Sequence, residues 1–415
     1  MKKIILSLAG VMAATAFAPE AAAVPAFARQ TGMACNACHA QHFPVLSNFG
    51  RAFKAGGFTM MGAQGVIEGE HLSIPNTLNA GILLKAQYRK TNGAKKVYES
   101  GTPLTTKTTN DGKWMMPDEY GLFFGGRLAD TGTLKVGTMI EHDMSALVGF
   151  RMPVVTDVGG VNLSVIPFTT DALGPFYGYT ESSTGLNRAV RWNEHHADIS
   201  AHRYVGVATD AASGFTFMAK SDMGYVTLTR WAPSANMVDQ SLSLNMLHVG
   251  VTPNISGWDT VITGEVISGT SRTADPVTTF SFVDGNEYKA TGLTAQSHGE
   301  ISGLPVGLYA TYANTPKSTA TKVNAYNSST VNDSKAFTIG ADVSVIPNTL
   351  HVGAAYRNGK PNTAKTDNAL SLMATYDIAQ NMALQVTHSR YSGTKYNTAQ
   401  ANGTQQTSFL LEAAW

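Results

Sequence analysis

A two-residue rhythm constrains this chain more than any other feature. Over residues 336–346, Phe337, Ile339, Ala341, Val343 and Val345 point one way, while Thr338, Gly340, Asp342 and Ser344 point the other. Leu370, Leu372, Ala374 and Tyr376 alternate in the same way with Ser371, Met373 and Thr375. Leu304, Val306, Leu308, Ala310 and Tyr312 repeat the pattern. Side chains on a strand alternate faces, so each segment reads as a strand with one apolar and one polar face. The polar stripe is small and neutral, as the lining of a lumen would be.

Composition fits that rhythm. Only 14% of the residues are charged, against the usual quarter, and the formal net charge is +1. No basic field of the size that binds nucleic acid exists, so nucleic acid is excluded as a partner. Past the first residues there is no apolar run of about 18, so helical membrane spans are not expected. So few charges would be unusual in a water-soluble protein, whereas a barrel with an apolar outside and a polar inside gives this average. A soluble two-sheet sandwich or propeller is disfavoured by the low charge and by the loops.

The loops alternate in length. Pro347-Asn348-Thr349 is tight, "NGKPNTAKTD" is longer, the connection at 377–380 is short, and "SGTKYNTAQANGTQQ" is long and polar. Short turns on one side and long loops on the other characterise outer-membrane barrels. The terminal "SFLLEAAW", with Phe409, Leu411, Ala413 and Trp415 on one face, reads as the closing strand. Further candidate strands lie near 78–90, 119–128, 132–141, 145–152, 161–168, 202–209, 213–222, 224–232, 244–252 and 258–268. The expectation is an all-β transmembrane barrel of about 16 antiparallel strands. An even count puts both barrel ends on the periplasmic side, in contact with outer-membrane lipid between them.

The N-terminus is different in kind. Lys2 and Lys3, an apolar run, and Ala21-Ala22-Ala23 make a signal peptide over residues 1–23. Behind it lies Cys35-Asn36-Ala37-Cys38-His39, which holds both cysteines of the chain. A thioredoxin-like pair needs a βαβ context, and a zinc site needs further ligands at matched spacing; neither is present. A disulfide between cysteines three apart stabilises little. Cys-x-x-Cys-His is the attachment signature of haem c, with Cys35 and Cys38 as thioethers and His39 as the proximal iron ligand.

The second axial ligand is expected to be Met60, with Met61 close behind. Both follow Gly56 and Gly57, where the chain can turn back over a macrocycle. His42, His71, Met33 and a five-coordinate iron are alternatives. Phe43, Leu46, Phe49 and Phe53 recur at helical spacing, so a short amphipathic helix is expected from about Pro44, packing aromatics on the haem edge. Its Arg51 and Lys54 read as solvated, or as propionate partners. The α-helical cytochrome segment, residues 24–71, is too short for an adequate core of its own. It is expected to plug the lumen or its periplasmic mouth, with residues 72–415 forming the barrel.

"VPAFARQTGMACNACHAQHFPVLSNFGRAFKAGGF" resembles the N-terminal region of the outer-membrane cytochrome–porin fusions of iron-oxidising bacteria. The resemblance rests on Phe27, Arg29, Gln30, Thr31 and Gly32 before the motif. After it come Phe43-Pro44, Leu46, Phe49-Gly50-Arg51, Phe53-Lys54 and Gly57. It covers about 35 residues closely and the rest only in general plan. It implies an outer-membrane Fe(II) oxidase that passes electrons to a periplasmic c-type cytochrome, with Cys35, Cys38 and His39 holding the haem. Two further expectations stand beside it: a haem–barrel conduit for another donor or acceptor, and a diffusion porin whose haem segment is a structural plug. Glu141, His142 and Asp143, and Glu194, His195, His196 and Asp198 with His202, carry groups suited to ferrous iron. They read as ordinary polar loop residues and are assigned no site.

Overall fold

The computed structural model describes residues 25–41, 45–62, 64–93, 110, 112–143, 146–182, 200–235, 241–274, 281–363, 365–398, 400 and 402–415. The expected signal peptide, His42, Phe43, Pro44, and the Glu194, His195, His196 and Asp198 group lie outside the described residues.

Sixteen antiparallel staves close into a barrel. The first half runs β1 (Ala80–Thr91), β2 (Lys113–Asp130), β3 (Leu134–Asp143), β4 (Ala146–Arg151 continued by Val154–Val158), β5 (Val161–Thr170), β6 (Ala212–Ser221), β7 (Gly224–Ala232) and β8 (Leu244–Val251 continued by Asn254–Ile255). The second runs β9 (Trp258–Ala274), β10 (Phe282–Glu287 continued by Ala290–Ile301), β11 (Leu304–Thr315), β12 (Ser334–Ile346), β13 (Leu350–Lys360), β14 (Asp367–Ala379), β15 (Met382–Ser392) and β16 (Gln405–Ala414). β16 pairs with β1, Phe409 opposite Tyr88 and Leu411 opposite Ala86. The seam ends where Trp415 and Ile82 exchange backbone hydrogen bonds of 2.8 and 3.0 Å.

Both ends of the barrel chain therefore lie at one rim. That rim carries the tight turns, among them those at Asn348 and Asn381, whose φ of 57° and 64° asparagine tolerates. The alternation read from the sequence holds, with burial inverted relative to a soluble protein. Phe337, Ile339, Leu370, Leu372 and Phe409 are exposed on the outside. Thr338, Ser371, Ser389, Thr216 and Thr227 are fully buried inside. Among the described residues no helix is long and apolar enough to cross a membrane.

The lumen is filled from two directions. From the turn rim enters a plug of three short helices: α1 (Pro25–Thr31), α2 (Cys35–Cys38) and α3 (Asn48–Ala55). Phe27, Phe53 and Phe58 form its core, with Phe27 stacked on Phe58 at 4.9 Å. A hairpin of Val66–Gly69 and Leu72–Pro75 then leads to β1, so the expected boundary at 71/72 falls in its turn. From the loop rim, the connection between β5 and β6 folds inward. Ser182 accepts a hydrogen bond from Thr294 of β10 (2.8 Å), the Ala201 amide bonds Thr311 of β11 (3.0 Å), and Tyr204 lies under the Arg357 guanidinium of β13. The strand expected over 202–209 is not formed. Ala201–Tyr204 is a single helical turn, α4, and Val205 and Val207 satisfy their apolar pattern inside the lumen rather than in a ladder.

Glycines on the wall let the plug approach. A Cβ on Gly81 would strike Pro25, one on Gly125 the Phe27 ring, and one on Gly137 the Gly57 carbonyl. Gln30 is fully buried and staples the plug. Its amide donates to the Phe58 and Met60 carbonyls (2.7 and 2.8 Å), and its carbonyl accepts from the Arg127 amide of β2 (3.0 Å). Arg51, 1% exposed, forks onto Asp259 of β9 at 2.6 and 3.0 Å and lies 3.5 Å from Glu181 of the inward connection. The expectation that Arg51 is solvated is overturned. The neutral lumen offers it two carboxylates, and a buried guanidinium needs them.

Breaking a buried ion pair from one side costs roughly 3–5 kcal/mol. Arg51→Met is therefore expected to loosen the plug while the barrel stays closed, measured as faster proteolysis of residues 25–62 with unchanged heat-modifiable gel mobility. Ile339, mid-stave and 48% exposed, faces outward. Ile339→Lys is expected to lower stability in lipid vesicles by about 2–4 kcal/mol in a urea titration, the cost of a lysine at bilayer mid-depth.

Candidate functional site

The sequence folds the Cys-x-x-Cys-His segment into one helical turn. Cys35 and Cys38, three apart, share a face of α2, and the His39 amide closes the turn on the Cys35 carbonyl at 2.9 Å. Ser47 caps α3 through the Gly50 amide (3.2 Å), and its hydroxyl also donates to the Ala37 carbonyl (3.0 Å). One side chain thus ties the motif to the helix behind it. Gly50 must lack a side chain, because a Cβ would collide with the Cys38 carbonyl oxygen.

Cys35, Cys38 and His39 line a cavity of about 550 Å³ between the plug and the wall of β1 to β5. That volume lies in the ~300–1,000 Å³ range of cofactor sites. Phe27, Phe53 and Phe58 line it from the plug, and Leu83, Phe123 and Met139 from the wall. Phe49, by contrast, is exposed. The two thiols form no disulfide. Burial, and then the neighbouring Cys35, push the Cys38 thiol up, so it is held neutral.

Cations and carboxylates border the apolar floor. Arg151 of β4 lies over the Tyr177 ring at 4.2 Å and donates to the Tyr177 carbonyl at 3.2 Å. Lys54 reaches from α3 to the Thr180 carbonyl at 2.6 Å. Although part of its surface is open to the cavity, its amine sits deep in the lumen, and burial followed by the Arg151 charge lowers its pKa to about 7. The reading of Lys54 as a solvated surface residue is thereby corrected. Glu141 accepts a hydrogen bond from the Tyr177 hydroxyl at 3.1 Å, and Glu119 pairs with Lys85 at 2.7 Å. Both line the cavity, as do Asp143 and Asp171.

Cys35, Cys38 and His39 stand together on the cavity lining. Met60 is not brought to them: it is 37% exposed, outside the cavity lining, and only its carbonyl is engaged, by Gln30. Met61 is likewise absent from the lining, and His71 stands out in solvent on the hairpin. Met33 does border the cavity. Sequence reasoning set aside Glu141, His142 and Asp143, which line the same space. Their clustering was legible, but not that they belong to the cavity wall, at the end of β3. Arg151 and Met139 carried no signal that separated a lumenal from an outward position. His202 is buried with its Nε2 2.5 Å from Glu265, far from any loop surface. Among the described residues no group of three or more His, Cys, Asp and Glu side chains could hold a metal ion.

No family model matches the chain, and no curated protein does. Solved structures similar to it include the outer-membrane expressed OmpT of Vibrio cholerae, at 12% identity and a TM-score of 0.47. That match covers 85% of this chain and 100% of the other. The outer membrane channel DcaP of Acinetobacter baumannii is similar at 11% identity and a TM-score of 0.48, covering 81% and 97%. OprB of Pseudomonas putida, at high pH, is similar at 8% identity and a TM-score of 0.49, covering 81% and 93%. Scores at this level assign neither family nor function.

Lys54 supplies a pH test. It is charged below pH about 7 and neutral above. In the haem-free protein, acylation of the Lys54 amine, followed by mass spectrometry, is therefore expected to rise steeply as pH passes 7, where ordinary lysines react appreciably only at higher pH.

Proposed function

We propose that this chain is a one-electron conduit of the outer membrane. It carries one covalent haem c, oxidises extracellular Fe(II) to Fe(III), and delivers the electron to a periplasmic c-type cytochrome. The observation that carries the reading is the placement of Cys35, Cys38 and His39 on a lumenal cavity walled by β1 to β5. Haem c, when bound, supplies a one-electron couple matched to Fe(II)/Fe(III).

The residues present fit such a group. Two cysteines on one face offer thioethers, His39 offers an imidazole, and the phenylalanine trio offers an apolar bed for a flat macrocycle. Lys54 and Arg151 offer cations for its carboxylates. No bond of the donor breaks, so no general acid, base or nucleophile is required of the chain. Its work is to attach, orient, exclude water and set the local charge. Oxidation on the outside keeps poorly soluble Fe(III) out of the periplasm, and a cofactor held in the lumen shortens a path of about 30 Å through hydrocarbon.

The closed barrel with its polar lining favours a second reading, a diffusion porin with a structural haem plug. Against it, the lumen-facing Thr216, Thr227, Thr338, Ser371 and Ser389 are fully buried, where an aqueous channel would leave such residues wet. Stopped-flow mixing of the haem-loaded protein with Fe(II) is expected to give rapid haem reduction, and Cys35→Ser/Cys38→Ser is expected to lose covalent haem staining. Haem-loaded protein that Fe(II) leaves oxidised, together with solute flux in liposomes that persists in Cys38→Ser, would favour the porin.

A further inference from the structure

We infer that the second axial ligand of the haem iron comes from the barrel wall rather than from the plug, and that it is the Met139 thioether. This rests on the haem reading proposed above.

Met139 lies on β3, where Gly137, Met139, Glu141 and Asp143 share one face. That face is lumenal at both ends: Gly137 is pressed against the Gly57 carbonyl of the plug, and Glu141 accepts from Tyr177 of the inward connection. Met139 therefore projects into the lumen between them, and it lines the same cavity as Cys35, Cys38 and His39. It packs against the buried Leu83 and Phe123, an apolar setting that suits a neutral soft ligand. Its sulfur is already directed at a polar partner, the Arg151 Nη2 at 3.5 Å.

The other described candidates lack this combination. Met60 and Met61 do not reach the cavity. His71 is 91% exposed on the hairpin. His142 borders the cavity too, but it is exposed and sits at a register shift of β3, without the apolar packing that surrounds Met139. Met33 borders the cavity but is exposed and sits two residues before Cys35, on the segment that already carries the thioethers and the proximal imidazole. A sixth ligand would come from outside that segment, and Met139 stands on the barrel wall of the same cavity. Ligation by Met139 would join plug and barrel through the iron, which gives a physical reason for fusing so short a haem segment to a barrel.

The test uses the full-length, haem-loaded protein in lipid or detergent, first verified for covalent haem by a denaturing haem stain. Ferric wild type is expected to show the weak long-wavelength band of thioether-to-iron charge transfer. Met139→Ala is expected to lose that band and to bind carbon monoxide in the ferrous state at least tenfold more tightly, with a lowered midpoint potential. Met33→Ala, Met60→Ala and Met61→Ala are expected to retain the band. Met139→His, which decides the matter should the alanine variant load poorly, is expected to be low-spin without the band. The band's persistence in either Met139 variant, or its absence from the haem-loaded wild type, overturns the assignment and leaves the conduit reading standing. A wild type without covalent haem overturns both.

Discussion

Everything in this molecule depends on closure of the hydrogen-bond ladder between β16 and β1. In hydrocarbon no water is present to satisfy a free strand edge, and each unpaired backbone group costs several kcal/mol. Closing the sheet removes the edge and forces the two faces of every stave into different solvents. Ile339 and Leu372 then meet lipid, and Thr338 and Ser371 meet the interior. A polar interior must in turn be satisfied, by water or by protein. Here protein does it, from below by the plug and from above by the inward connection between β5 and β6.

The plug is held by groups that are costly to bury alone. Arg51 finds Asp259 of the wall and Glu181 of the inward connection, so three separate parts of the chain meet at one guanidinium. Gln30 uses its whole amide on the plug and on β2. Polar side chains of this kind specify one docking pose, because a shifted plug would leave them unsatisfied. The glycines at 81, 125 and 137 make that pose sterically possible. Several of the plug residues that carry the sequence resemblance thus have structural work: Phe27 and Phe53 in the core, Gln30 and Arg51 at the wall, Gly50 against the motif turn. The cavity is what this docking leaves between plug and wall, so its chemistry belongs to both.

Much of the fold was legible in the sequence. Period-2 patterning and loop lengths gave the barrel, its strand count and the common rim of its ends, because alternation is a local property that lipid and lumen read residue by residue. The Cys-x-x-Cys-His turn was legible for the same reason: its geometry is set within five residues. The strand expected over 202–209 failed because Val205 and Val207 alternate like strand residues, yet among the described residues they join no ladder and the lumen buries them equally well. Arg51 and Lys54 read as solvated because charged residues on a short helix usually are. Nothing local announces that Asp259 lies 208 positions away at 2.6 Å.

The sequence by itself determined which residues face lipid, which face the lumen, and where two cysteines and a histidine share one helical turn. Only the tertiary structure decided that the lumen is filled, that Met60 stays outside the cavity while Met139 lines it, and that Lys54 has an ammonium titrating near neutrality. The physical reason is range. Alternation and attachment chemistry act between neighbours in the chain, whereas cavity walls, buried charges and shifted pKa values are made by groups that meet only once the barrel has closed around the plug.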